Sequence, residues 1–417
     1  MVKQDYKIHI IGGGISGLIA AIVLEQNGYS PVIIEATDSV GGRVKTDLID
    51  GYQLDRGFQV LLTAYPAAQK YLDFESLELQ KLLPGASIFK NGKQNIIGDP
   101  LRDLSLLFST IFSRIGNFSD KLKILKLSNR LKKKMVSEIF SDKEQSTLSY
   151  LMDLGFSIKM IDDFFTPFFS GIFLENKLDT SSRMFEFVYK MFSEGDAVIP
   201  KGGIEAIPKQ LSQNLNKTTF KFQSRVESIK DGEITMADNS KLESHYTIVT
   251  TEASNLISNL KNQSSEWKSC DTLYFETESR AIREPLIGLI AKNGTLTNNI
   301  FYHSSLNSAV KPNKELLSVT VIDNQNLSNE ILIERVKSEL KEQCNIDSCK
   351  FIKHYIIPMA LPKLNDIQYE ILPSETCLTG TIFLAGDIQL NGSLNAAMIS
   401  GERAALGVIE TLSSIIS

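Results

Sequence analysis

The residues best placed to do chemistry begin at Gly12-Gly13-Gly14-Ile15-Ser16-Gly17, a G-x-G-x-x-G run close to the start of the chain. In such a run the first glycine permits a tight turn, the second lets backbone approach a pyrophosphate, and the third lets a helix pack on a strand. Gly12, Gly14 and Gly17 take those places. Ile15 and Ser16 then open a helix whose unpaired N–H groups and positive dipole end suit phosphate. Glu35 stands where a carboxylate can accept hydrogen bonds from ribose hydroxyls, and its charge disfavours the extra phosphate of NADP. The run by itself does not separate NAD from FAD, and a glycine turn that binds nothing is the plain alternative.

The flanking elements are what give the run its weight. Lys7 to Ile11 reads as a short buried parallel strand, rich in β-branched residues. Ile15, Leu18 and Ile22, widened by Ile19 and Val23, form one helical face that ends at Gly28. Pro31 to Glu35 supplies a second buried strand ending in the acid. The order strand, glycine turn, helix, strand, acid is that of a dinucleotide-binding fold.

Beyond Glu35 the chain reads Ala36-Thr37-Asp38-Ser39-Val40-Gly41-Gly42-Arg43. Here it resembles the flavin-containing amine oxidase superfamily, which includes amine oxidases, protoporphyrinogen oxidases and phytoene-desaturase-like enzymes. The resemblance implies that the GGR loop wraps the pyrophosphate side of FAD. Ala36, Gly42 and Arg43 are then cofactor contacts, with the guanidinium matched to phosphate. Asp55-Arg56-Gly57-Phe58 resembles the segment that returns towards the flavin, and Asp55 is given no chemistry.

A second signature lies near the other end, where an apolar strand Ile382-Phe383-Leu384-Ala385 runs into Gly386-Asp387 and then Asn391 to Met398. By the same resemblance, Gly386 and Asp387 approach the ribityl chain. A helix starting around Ala396 directs its N-terminus at the pyrimidine end of the ring, where a dipole stabilises negative charge. Asn395, Ala396, Ala397 and Met398 would then line the flavin through their backbone. Two signatures at opposite ends of the chain implying one cofactor select FAD over NAD. No cysteine lies in the second motif, so non-covalent attachment is expected.

A weaker match at Pro200-Lys201-Gly202-Gly203-Ile204 precedes a helix to about Leu215. It is followed by a strand over Phe220 to Ile229 and another at Thr247 to Thr250. The resemblance puts Val226 against adenine, and a core valine is the alternative. The fold class expected is α/β. A Rossmann-like FAD-binding domain of the glutathione-reductase type (1–75, 195–258, 375–417) joins a discontinuous α+β, amine-oxidase-like substrate domain (76–194, 259–374).

In that second domain a helical stretch from about Leu101 to Met191 precedes strands at Leu286 to Ile322 and Cys349 to Ile357. A helix is expected between them at Asn329 to Cys344. Phe164 to Phe173 is dense in phenylalanine, which fills a core or lines a site. Pro167 and Gly171 are read as helix breaks, and the resemblance, which puts such a segment near the substrate cavity, implies an apolar small-molecule substrate. Residues 121–134 form a basic amphipathic helix, either a solvated face or a contact with anionic lipid at a membrane surface.

The net charge of −5 gives no reason to expect nucleic acid, and Cys270, Cys344, Cys349 and Cys377 show no metal-ligand spacing. Free thiols in a reducing compartment are expected, with a Cys344–Cys349 disulfide as the alternative, and a cytoplasmic location is expected since no run reaches the ~20 apolar residues of a membrane span. His303 and His354 are the available proton-transfer groups. Lys268, Lys292 and Lys350 carry no motif matching them to the lysine many amine oxidases hold beside the flavin. No side chain is therefore assigned as catalytic, and no metal is expected. The function expected is FAD-dependent oxidation of a C–C or C–N bond, with desaturation ahead of amine oxidation. A flavin-dependent isomerase and a non-catalytic flavin-binding relative are the alternatives.

Overall fold

The run Ile8–Ile11 has no polar face to turn to water, and it becomes the middle strand of a five-stranded sheet in which every neighbouring pair is parallel. The structure is a computed structural model describing residues 3–98, 102–103, 106, 113, 115–261, 263–309, 311 and 313–416. Its principal strands are β1 (Ile8–Ile11), β2 (Val32–Ile34), β3 (Gly85–Lys90), β4 (Lys93–Gly98), β5 (Thr219–Lys221) and β6 (Tyr246–Val249). The chain continues through β7 (Trp267–Thr277), β8 (Ile287–Ile290), β9 (Thr297–Tyr302), β10 (Glu315–Val321), β11 (Cys349–Pro362) and β12 (Ile382–Leu384). The principal helices are α1 (Ile15–Gln26), α2 (Phe118–Lys133), α3 (Thr166–Phe173), α4 (Ser182–Glu194), α5 (Asn329–Cys344) and α6 (Leu394–Ile416).

The parallel sheet runs β5-β2-β1-β6-β12, drawing strands from both ends and the middle of the chain. Helix α1 packs on this sheet and on α6 at once, so Ile15 to Leu24 are buried all round rather than along one stripe. Both contacts are backbone to backbone. A β-carbon at Gly17 would lie 2.1 Å from Gly12 O, and one at Gly401 would lie 2.2 Å from Ser16 O. Glycine is required there by space alone. A three-stranded antiparallel sheet adds Val226, Ile229 and Ile234 to a core shared with Ile11, Ile34 and Val249.

The second large element is a seven-stranded sheet, β11-β7-β10-β9-β8-β3-β4, antiparallel except where β8 pairs with β3. Helix α5 backs it through Leu332, Val336 and Leu340, spaced one helical turn apart, which pack with Leu317, Val319 and Val321.

Several sequence expectations change. Phe220 to Ile229 is not one strand: Thr219–Lys221 joins the parallel sheet and Val226–Lys230 the antiparallel one, with Gln223 at φ +51 between them. The phenylalanine segment is not broken by Pro167, which sits in the first turn of α3, where its missing N–H costs nothing. Gly171 lies inside that helix too, and is glycine for want of space: a β-carbon would meet the Asn298 and Asn299 side chains at 2.8 and 3.0 Å. The supposed helical part of the second domain also contributes β3 and β4 to the large sheet. Residues 101, 104–105, 107–112 and 114 of the expected helical region lie outside the described residues. All four cysteines are free thiols.

Two histidines make the core sensitive to acid. His9 in β1 is held down to about 4 by burial and by Lys221, Lys7 and His245, and His303, beside Phe58, Phe301 and Tyr274, is held to about 4 by burial. A folded chain that refuses a proton which the unfolded chain accepts is stabilised above pH ~6.5 and loses that stability as pH falls towards 4. Asp55 opposes them: burial raises it to about 6, despite hydrogen bonds from Thr46 and Ile204 that pull it down, so its contribution is full below pH ~3.8 and is lost towards 6. At pH 5 the two histidines outweigh Asp55, so these three groups together lower stability relative to pH 7 by on the order of 2 kcal/mol. Urea unfolding at both pH values checks this. His303→Gln should shrink the difference, and an unchanged difference would count against His303 as its source.

Candidate functional site

The carboxyl ends of β1, β2, β6 and β12 open onto one cavity of 1380 Å³. Ordinary small-molecule pockets hold roughly 300–1,000 Å³, so there is room for more than one small molecule. At the sheet end it is lined by Gly12, Gly14, Ile15, Ser16, Glu35, Gly41, Gly42, Arg43, Gly386 and Asp387, bringing the two sequence signatures together. Crevices at strand carboxyl ends are where open α/β sheets bind ligands.

The local geometry suits a phosphate. Gly14 caps α1 without any side-chain hydrogen bond, and the Gly41 N–H donates to Gly13 O at 2.9 Å, laying the GGR loop against the first turn. A β-carbon at Gly14 would find nothing nearer than Gly42 Cα at 4.0 Å, so this backbone faces open space. The Glu35 carboxylate accepts from the Gly13 N–H (2.7 Å) on Oε2, and from the Thr37 N–H (2.8 Å) and hydroxyl (2.7 Å) on Oε1. A carboxylate offers about four acceptor positions, so one on Oε2 stays open to a ribose hydroxyl. Glu35→Ala should therefore weaken dinucleotide retention by about 1–3 kcal/mol, read as the dissociation constant from flavin fluorescence. Unchanged retention would remove Glu35 from the site.

Arg43 donates to the Asp387 carboxylate, across 344 positions of sequence, and to Ala360 O at 3.2 Å. Its guanidinium stacks 5.2 Å from the centre of the Trp267 ring, whose Nε1 donates to Glu252 at 3.2 Å. Thr250, Thr251 and Glu252, just past β6, also line the cavity. Reading the sequence singled out none of Trp267, Thr251 and Glu252. The available signals were that Trp267 is the chain's one tryptophan and that residues following a buried parallel strand face the crevice.

At α6 the wall is made by Ser393, Leu394 and Ala397, with Ser393 Oγ accepting from the Ala396 N–H at 3.0 Å. Asn395, Ala396 and Met398 are fully buried and do not line the cavity; Asn395 instead accepts from the Ala67 N–H at 3.0 Å. Gly17 serves the α1–sheet contact, and Ala36 is exposed outside the lining. Val226 is buried in its own small sheet and is likewise absent from the lining.

Away from the glycine turns the cavity becomes aromatic. Phe164, Phe168, Phe169 and Phe173 from the α3 region face Met184, Val188 and Phe192 of α4, with the Phe168 and Phe192 ring centres 5.5 Å apart. Cys270, Asn299 and Thr320 from the seven-stranded sheet add a few polar atoms, and Asn299 donates to Thr320 Oγ1 at 3.2 Å. Of the three lysines weighed from the sequence, Lys268 lines the cavity, its Nζ held by Glu175 (2.9 Å), Phe173 O (2.9 Å) and Thr180 (3.1 Å). Lys292, Lys350, His303 and His354 do not line the cavity, and His354 is paired with Asp271 at 2.6 Å.

A family model described as flavin containing amine oxidoreductase matches residues 15–409. Protoporphyrinogen oxidase 2 of Arabidopsis thaliana is 26% identical over 169 residues, which is 40% of this chain and 32% of that protein. The 4,4'-diapolycopen-4-al dehydrogenase of Metabacillus indicus is 43% identical over 56 residues, 13% of this chain and 11% of that one. These matches span well under two thirds of the relatives' own length. Among solved structures, an oxidoreductase from Methanosarcina mazei superposes with a TM-score of 0.72 at 17% identity, covering 97% of this chain and 100% of that one, which is a likeness of fold. With a family model matched along nearly its whole length, this chain belongs to the flavin containing amine oxidoreductase family, a family of flavin-dependent oxidoreductases.

Proposed function

We propose that the chain binds FAD non-covalently in this cavity and removes a hydride equivalent from a C–C or C–N bond of an apolar small molecule, with desaturation ahead of amine oxidation. The observation that carries the reading is continuity: one cavity runs from the phosphate-ready turns at Gly14 and Gly42 to the phenylalanine walls of α3 and α4. The residues fit the cofactor, since Gly14 and Gly42 leave backbone bare where a pyrophosphate needs it and Arg43 brings positive charge. Glu35 keeps an acceptor that would serve ribose, Asp387, paired with Arg43 in the same lining, would take the ribityl chain, and the first turn of α6 would turn its dipole to the ring. When bound, the flavin supplies the two-electron chemistry.

The chain's own part is positioning and exclusion of water. Phe164, Phe168, Phe169 and Phe192 offer flat apolar surfaces that orient a substrate and keep the reacting carbon dry. The desaturase preference draws on that apolar wall. Leu384, before Ala385-Gly386, stands where amine oxidases often carry an aromatic residue, which further favours the C–C reading. The test is to load the protein with FAD, remove oxygen and screen apolar and amine compounds for bleaching of the flavin absorbance. Bleaching by an unsaturated or polyene-type precursor is expected. A protein that takes up no FAD, or whose flavin bleaches only with small amines, would overturn the proposal.

A further inference from the structure

Helix α2 carries two apolar stripes, and the core takes only one of them. Leu127 and Leu131 are buried against the body of the protein, while Phe118, Leu122 and Leu125 are 76, 52 and 37% exposed. With 3.6 residues per turn, these three fall on a single face roughly opposite the packed one. On the same helical wheel Lys126 and Lys133 flank that face on one side, and Lys121 and Lys132 on the other. The helix is anchored for the purpose: Asn117 and Asp120 close a capping box at its start, and Arg130 and Lys134 tie its end to Glu186. Phe118, Leu122, Leu125 and Lys132 also line the cavity, so this face is the rim of its opening.

We propose that α2 is the surface by which the protein sits on an anionic lipid bilayer, with the cavity mouth against the lipid so that an apolar substrate enters without crossing water. The proposal rests on the apolar-substrate reading given above. Three features favour lipid over other occupants. An apolar strip bordered by lysines matches an interface whose headgroups are negative and whose interior is apolar. The chain as a whole carries a charge of −5, so the lysine cluster is local rather than a reflection of general basicity. The strip is also too small for a stable dimer: a helix of 16 residues is about 24 Å long and offers roughly 240 Å² along one face, against about 800 Å² per partner in an ordinary interface. No helix among the described residues is long and apolar enough to cross a membrane, so attachment by α2 is to one leaflet.

The experiment sediments the FAD-loaded full chain with vesicles of phosphatidylcholine, either alone or mixed with phosphatidylserine, and reads protein and flavin in each fraction separately. The protein should pellet with the mixed vesicles, stay in solution with phosphatidylcholine alone, and be released by high salt. Lys126→Gln and Lys133→Gln should each lower the partition roughly fivefold. Leu122→Ser/Leu125→Ser should lower it as well, with circular dichroism confirming that the fold is kept. Failure to pellet, or pelleting that neither set of variants alters, would overturn the proposal. So would a dimer in ultracentrifugation that the leucine variant abolishes, because that would give the face to a second copy. Flavin content is an independent readout: protein that pellets colourless supports the surface and counts against the FAD-dependent function proposed above.

Discussion

Gly14→Val should leave a folded protein that no longer takes up flavin. The two halves of this result have separate causes. Gly14 has φ −76 and ψ −176, a conformation any residue adopts, and its nearest neighbour to an added β-carbon is Gly42 Cα at 4.0 Å. The protein therefore has room for the substitution, and thermal stability should move by less than about 1 kcal/mol. The space that valine fills is the cavity between the start of α1 and the GGR loop, where the proposed phosphates sit. Loss of close approach to two first-turn N–H groups, together with steric exclusion, should weaken FAD by more than about a hundredfold, or ~3 kcal/mol. Absorbance of the purified protein, followed by titration with added FAD, decides the matter. Normal yellow protein would mean that the phosphates lie elsewhere.

Gly401→Val should do the reverse damage, unfolding the protein and losing flavin only as a consequence. Here an added β-carbon lies 2.2 Å from Ser16 O and 3.0 Å from Ser16 Cα and C, all of them backbone atoms of α1. Neither helix can move away freely. Helix α1 is pinned to the sheet at Gly17, and α6 is packed there through Ala404, Ala405 and Val408. Relief requires parting the two helices, and the cost should exceed about 3 kcal/mol, at the top of the range for overpacking. The expected readout is insoluble protein or a melting point lowered by many degrees, with Gly401→Ala intermediate. If Gly401→Val melted like the parent chain, the close helix crossing would be wrong. Together the two valines separate what the glycines of this site do: one keeps a place for ligand, and the other lets the walls of that place meet.

The parts of this design legible in the chain were the contiguous ones. A buried strand running into a glycine turn and a helix is specified within a few residues, because φ/ψ freedom, helix starts and strand propensity are local properties. Helix α5 was equally plain, its Leu332, Val336 and Leu340 repeating at the helical period. The facing of α6 was not. A helix buried on nearly all sides has no polar stripe to orient it, so Asn395, Ala396 and Met398 could not be told from Leu394 and Ala397 as cavity residues. The apparent strand at Phe220 to Ile229 failed for a related reason. It holds no glycine or proline to mark a break, and the division at Gln223 follows from pairing Thr219–Lys221 with β2 and Val226–Lys230 with Glu233–Met236.

The meeting of Arg43 with Asp387, and of Trp267 with Arg43, belongs to long-range packing. Local preference cannot choose which distant residues come together; that choice is made when the five-stranded sheet closes β12 against β6 and lays α6 on α1. The amino-acid order thus marks the glycine turns and the strands and helix around them, which need only their immediate neighbours. The shape of the cavity, the residues that wall it and the face left open at α2 arise from how those pieces crowd one another, because packing acts on volume and reach rather than on sequence distance.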